Sequence, residues 1–299
     1  MKRIELQELV RERQVGTVNR RDFMIRATAV LGSTAAASTL LAACAPVADR
    51  TPPPVVASTQ PPPEAGLSAA GELETGIVTY AGADGEELMG YLAHVPADQP
   101  QPAVIVIQEW WGLNDHIKDV TRRFAEEGSV ALAPDLYHGQ VTTEPDEARK
   151  LAMELGMGDA VSEIQAAMAY LRAQDFTTDQ IGIIGFCMGG GLVLQTAVAD
   201  DSVGAAIPFY GQPVSELEAA DITAPVQSFL GTRDGISASA YENMHEALEA
   251  NGIPNHFQLY EGAQHAFFND TRASYDPEAA DDAWMRTLTW FDEYLSPAL

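Results

Sequence analysis

The chain has 299 residues, of which 46% are apolar, 43 are acidic and 17 are basic, for a formal net charge of −26. That apolar share suits a globular protein. So negative a surface repels phosphate backbones and anionic lipid headgroups, which argues against a nucleic-acid partner and against membrane contact through a basic patch.

Seven of the basic residues fall in the first 26 positions, so the remainder is more acidic than the total implies. Asn19-Arg20-Arg21-Asp22-Phe23-Met24 resembles a twin-arginine export signal. A weakly apolar stretch follows from 27 to 43 and ends in Leu41-Ala42-Ala43-Cys44, the pattern of a bacterial lipobox. The stretch is shorter than the roughly 20 strongly apolar residues a spanning helix needs. The order of basic, apolar and small residues is that of a secretory signal. Lipidation of Cys44 is therefore expected, and with it anchoring of an exported protein on the outer side of a membrane. Residues 45–66 carry two Pro-Pro-Pro runs and read as an extended spacer. Residues 67–299 are left to form a single domain of ordinary length. The two cysteines, Cys44 and Cys187, have separate expected roles, and no disulfide framework follows from them.

In chain order, 77–80 and 88–94 read as strands joined at Asp84-Gly85, and 103–108 as a short buried strand. A helix is expected over 115–127, where Ile117, Val120, Phe124 and Ala125 share a face. A strand over 130–133 and helices near 144–155 and 159–173 come next. Strands at 181–185, 203–209, 226–231 and 256–260 then alternate with helices at 188–199, 238–251 and 276–295. This alternation predicts an α/β fold, a mostly parallel sheet with helices on both faces. Its ligand site should lie at the C-terminal ends of the strands.

Three of those strand ends carry chemistry. Gly185-Phe186-Cys187-Met188-Gly189 stands between a strand and a helix and matches the nucleophile elbow, with cysteine in place of serine. Asp234, in an Asp-Gly pair, follows the strand at 226–231, and His265 follows the strand at 256–260. Taken singly, each has a plainer reading: a core cysteine, a turn aspartate, a surface histidine. The order nucleophile, acid, histidine, each just past its own strand, is that of α/β-hydrolases. His265 would take the thiol proton and return it to the leaving group, with Asp234 fixing the imidazole tautomer. The backbone N–H groups of Trp110 and Met188 are the expected oxyanion hole. The other histidines show no metal-ligand spacing.

Gln108-Glu109-x-x-Gly112, Ala133-Pro134-Asp135-Leu136-Tyr137, Gly185-Phe186-Cys187-Met188-Gly189-Gly190 and Gly262-x-x-His265-x-Phe267 together resemble the dienelactone hydrolase (carboxymethylenebutenolidase) family over roughly residues 74–297. The resemblance implies one α/β-hydrolase domain, a Cys-His-Asp triad, no cofactor and a small ester or lactone substrate. It also implies that Glu109 hydrogen-bonds the resting thiol and helps release the thiolate. Where family members acting on dienelactone carry two arginines for the substrate carboxylate, this chain has Gly139 and Asn269. Two other functions fit the same features. One is a surface-displayed binding lipoprotein on a hydrolase scaffold. The other is acyl transfer to an acceptor other than water.

Overall fold

The computed structural model describes residues 72–296. The export motif, Cys44 and the proline-rich spacer lie outside the described residues. Eight strands form one sheet: β1 (Glu74–Ala81), β2 (Glu87–His94), β3 (Gln101–Ile107), β4 (Val130–Pro134), β5 (Thr177–Phe186), β6 (Ala205–Phe209), β7 (Val226–Arg233) and β8 (Asn255–Gln264). Their spatial order is β1-β2-β4-β3-β5-β6-β7-β8. Only the pairings β1 with β2 and β2 with β4 are antiparallel; every other neighbour is parallel. This is the mostly parallel α/β-hydrolase sheet expected.

Burial follows position in the sheet. Edge strand β1 is largely exposed, whereas β4 and β6 are buried at every residue, as strands covered on both faces must be. The helices are α1 (Asp115–Glu126), α2 (Pro145–Glu154), α3 (Met157–Arg172), α4 (Met188–Ala199), α5 (Glu216–Ala219), α6 (Ala238–Ala250) and α7 (Pro277–Leu295). Strand β5 shows how both faces are covered. A side chain at Gly182 would strike Phe291 and Leu295 of α7, and one at Gly185, of opposite parity, would strike Val193 of α4. Phe124 of α1 packs on Trp284 and Phe291, joining α1 to α7 on one face.

Several ends have visible causes. Asn114 caps α1 through its side-chain oxygen, and Asp276 does the same for α7, with Pro277 in its first turn. The turn between β1 and β2 takes Gly85 at φ +88°. Several elements differ from expectation. β5 begins four residues earlier than 181, in a polar segment recruited by pairing of Thr177 with Gln101. Strands β7 and β8 run on together past 231 and 260, through an irregularity between Gly231 and Arg233. The short α5 was not expected, although Ser215 and Glu218 form the reciprocal capping box that marks a helix start.

Candidate active site

Cys187, Asp234 and His265 each sit one step past the paired end of a strand. Cys187 follows β5 directly, with φ +56° and ψ −113°. This conformation is sterically resisted by a residue with a Cβ, and it is maintained by the close packing around it. The Cys187 N–H donates to the Phe209 carbonyl at 3.1 Å. The flanking glycines are required by contact. A Cβ on Gly185 would lie 2.3 Å from the Gly189 oxygen, and one on Gly189 would lie 2.5 Å from both the Ile107 and Gln108 oxygens. The elbow therefore presses onto the end of β3, which leads into Glu109 and Trp110. Met188 opens α4, so its N–H has no partner within the helix. The contact of Gly189 with the Ile107 and Gln108 oxygens brings the start of α4 against the chain just before Glu109 and Trp110.

Asp234 and His265 meet through sheet register. Arg233 and Gln264 are paired across β7 and β8, so the next residue on each strand falls side by side. Gly231 permits the approach, since a Cβ there would lie 2.2 Å from the Ala263 oxygen. The Gly262 N–H donates to Thr232 Oγ1 at 2.8 Å and ties the two strand ends. His265 Nδ1 lies 2.9 Å from Asp234 Oδ2. The other Asp234 oxygen accepts from the Ile236 N–H at 3.0 Å. With its carboxylate 1% exposed and both oxygens occupied, Asp234 keeps the Nδ1 proton in place. Burial disfavours the imidazolium, but the Asp234 hydrogen bond and the adjacent Cys187 side chain outweigh it and lift His265 to about 10.

Glu109 has a partner that was not expected. Its Oε2 accepts a 2.7 Å hydrogen bond from Asn269 Nδ2. Both side chains are buried. A carboxylate at that depth needs a donor, and Asn269 supplies it from a position already braced by Thr271, whose N–H and Oγ1 both donate to Asn269 Oδ1. Burial raises the Glu109 carboxyl above its ordinary range, against the lowering effects of Asn269, Arg272 and His265. Asn269 is thus part of the Glu109 support and unavailable to a substrate carboxylate. Gly139 lies at φ +91° with its N–H on Asp135 Oδ2 at 2.7 Å.

Two tyrosines that sequence reasoning did not assign lie against Met188 and His265. The Tyr137 hydroxyl lies 3.3 Å from Met188 Sδ. Burial, and then the Cys187 charge, push its phenol up to about 12. The Tyr210 ring meets the His265 ring edge-on at 5.2 Å. Their only sequence signals were the Pro-Asp-Leu-Tyr and Phe-Tyr-Gly strand ends. His94, His116, His138 and His245 are engaged elsewhere, with Glu74, Asp270, Glu163 and the Ser228–Asn255 pair respectively.

The model of the family described as "Dienelactone hydrolase family" matches residues 88–295. "Protein usf" of Aquifex pyrophilus is 36% identical over 224 residues, covering 71% of this chain and 96% of that protein. A Synechocystis protein named "Putative carboxymethylenebutenolidase" is 37% identical over 228 residues, covering 70% and 93%. The crystal structure of a "Putative Dienelactone Hydrolase" from Klebsiella pneumoniae superposes with a TM-score of 0.69 at 31% identity, covering 75% of this chain and all of that one.

Proposed function

The chain belongs to the dienelactone hydrolase family and is a hydrolase of that kind, and on that premise we propose that it cleaves an ester or lactone through an acyl-enzyme on Cys187. The observation that carries this reading is the register of β7 and β8, which sets His265 Nδ1 2.9 Å from Asp234 with the Cys187 side chain against the same imidazole.

In the proposed reaction His265 accepts the thiol proton, and the thiolate attacks the substrate carbonyl carbon. The carbonyl π pair moves onto oxygen, where the N–H groups of Trp110 and Met188 receive the negative charge. Collapse of this adduct breaks the bond to the alkoxy oxygen, which takes the proton from His265 and leaves as an alcohol. In a lactone the alcohol stays attached to the acyl group. Water then gives a proton to His265 and attacks the thioester. The second adduct expels the Cys187 thiolate, which takes the proton back from His265, and releases the acid. Asp234 holds the imidazole in the tautomer that both steps use. The raised His265 pKa suits an imidazole that must hold the proton taken from the thiol.

The test is chemical modification beside substitution. Iodoacetamide should label Cys187 and abolish hydrolysis of an activated ester such as p-nitrophenyl acetate, and Cys187→Ala should be inactive. Full activity in the alanine variant would sink the assignment. We further propose that Cys44 is lipidated after export and anchors the enzyme to a membrane. Fatty-acid labelling in a bacterial host should mark the wild type and spare Cys44→Ala, and equal labelling of both would refute the anchor.

A further inference from the structure

Strand β3 runs out into a tight turn. The Gly112 N–H donates to the Glu109 carbonyl at 3.3 Å, which leaves Trp110 and Trp111 as the two central residues. Gly112 has φ +90°, and a Cβ on it would lie 2.3 Å from the Gln140 oxygen. The Trp111 carbonyl accepts from the Thr142 N–H at 3.1 Å. The backbone of the turn thus leans on the chain at 140–142 on one side.

A second turn holds it by its side chains. This one lies in the loop after His265, where the Arg272 N–H donates to the Asn269 carbonyl at 3.0 Å. The two turns touch at two points. Asn269 reaches the Glu109 carboxylate at 2.7 Å, and the Arg272 guanidinium carbon stands over the Trp111 ring, 4.1 Å from its centre. The first and last residues of one turn therefore hold the first and third of the other. The Trp111 ring in turn meets Trp110 edge-on, with ring centres 5.0 Å apart. The chain is rich in carboxylates, yet Arg272 makes no ion pair among the described residues. Its neighbour in sequence Asp270 is engaged by His116 instead. A guanidinium is the cation best suited to stacking on an indole face.

We propose that Arg272 is a positioning residue: by holding the Trp111 ring it fixes the turn that presents the Trp110 N–H to the oxyanion. The proposal rests on the acyl-enzyme reading, with Trp110 as an oxyanion donor. Such a donor stabilises the transition state only while it points at the place where charge develops. Asn269 secures the near corner of the turn and Arg272 the far one. Both come from the loop that begins at His265, so the base and the oxyanion donor keep one relative placement through the cycle.

The experiment compares full-length wild type, Arg272→Ala, Arg272→Lys, Trp111→Leu and the double variant Arg272→Ala/Trp111→Leu. It records kcat and KM for p-nitrophenyl acetate, the pH dependence of Cys187 alkylation by iodoacetamide, and Tm. Alkylation displaces iodide at a saturated carbon and builds no oxyanion, so it reports the thiolate without the oxyanion hole. Arg272→Ala should lower kcat roughly tenfold with KM little changed. Its alkylation rate, alkylation midpoint and Tm should stay close to wild type. Arg272→Lys keeps the charge and loses the planar fork, and should recover part of the loss. The double variant should match Trp111→Leu within roughly twofold, because the arginine acts through that ring. Wild-type kcat in Arg272→Ala, or full recovery by lysine, would overturn the proposal. A raised KM at unchanged kcat would overturn it by making Arg272 a substrate contact. Alkylation slowed in step with hydrolysis, or losses that multiply in the double variant, would overturn it too. Failure of iodoacetamide to inactivate the wild type would instead remove Cys187 as nucleophile, and this proposal with it.

Discussion

Asn269 donates to Glu109 across 160 residues of chain, 2.7 Å from amide nitrogen to carboxylate oxygen, inside the protein. Removing one partner of such a contact leaves the other desolvated. Asn269→Leu should destabilise the fold by roughly 1–3 kcal/mol, or more if Glu109 stays ionised. The Glu109 carboxyl, already raised by burial, should rise further. Urea unfolding of wild type, Asn269→Leu and the double variant Asn269→Leu/Glu109→Gln measures this. The double variant should recover part of the loss, because a neutral amide needs the donor less. No recovery would mean that the contact contributes little.

His265 titrates higher in the folded chain than its unfolded value near 6.5. A raised pKa means the fold binds the proton more tightly than the unfolded chain does. The resulting stability is fully present below about pH 6.5 and fades as pH rises toward 10. Asp234→Asn removes the hydrogen bond responsible. Its stability deficit should be widest near pH 6 and narrow by pH 10, as followed by denaturant titration at both values. The same change should cut kcat by roughly 10³–10⁴-fold, by loss of the required tautomer. A deficit that grows with pH would contradict the proton linkage.

His245 behaves in the opposite sense. It is buried, with Nδ1 2.8 Å from Asn255 Oδ1 and Nε2 2.9 Å from Ser228 Oγ. Burial pushes it down to about 4. A depressed histidine pKa stabilises the neutral folded form above pH 6.5 and loses that stability as pH falls from 6.5 through 4. The loss should be on the order of 3 kcal/mol. Thermal melts between pH 7 and 4 should show Tm falling more steeply in wild type than in His245→Gln, whose amide spans the same gap without titrating. Parallel slopes would place the acid sensitivity elsewhere.

Substrate charge gives a further test. Asn269 is sealed in the protein and Gly139 has no side chain, so neither can grip a carboxylate. Arg149 is engaged by Asp146. Arg272 is stacked on Trp111 at 4.1 Å and lines a cavity of about 570 Å³ beside the site. A neutral methyl ester of a dienelactone should therefore be hydrolysed at least as well as the free acid, judged by kcat/KM. A hundredfold preference for the acid, about 2.7 kcal/mol, would show that Arg233, or Arg272 after leaving Trp111, binds it.

How much of this was legible in the sequence depended on the range of the cause. Cys187, Asp234 and His265 could be picked out because strand, turn residue and reactive side chain are neighbours in the chain. Residues 261–264 read as loop because they are polar and contain Gly262, and only pairing with β7 makes them strand. The Thr177 end of β5 was hidden for the same reason. Tyr210 looked like the end of an apolar run, since nothing local reports that its ring meets His265. The Glu109–Asn269 bond joins residues whose spacing has no period to reveal it. Asn269 was noticed only as a missing arginine.

The place of β8 in the sheet has a thermal consequence. It is the outermost strand, bonded to β7 alone, and His265 hangs from its end. An edge strand opens at lower free energy than the centre. Opening by a few residues would separate His265 from Asp234 while β3, β5 and β6 remain intact. Catalysis should therefore fail several degrees before the molecule melts, and should return on cooling. On that expectation, activity measured against temperature should fall at a lower temperature than the melting transition, and coincident curves would show that β8 does not fray first.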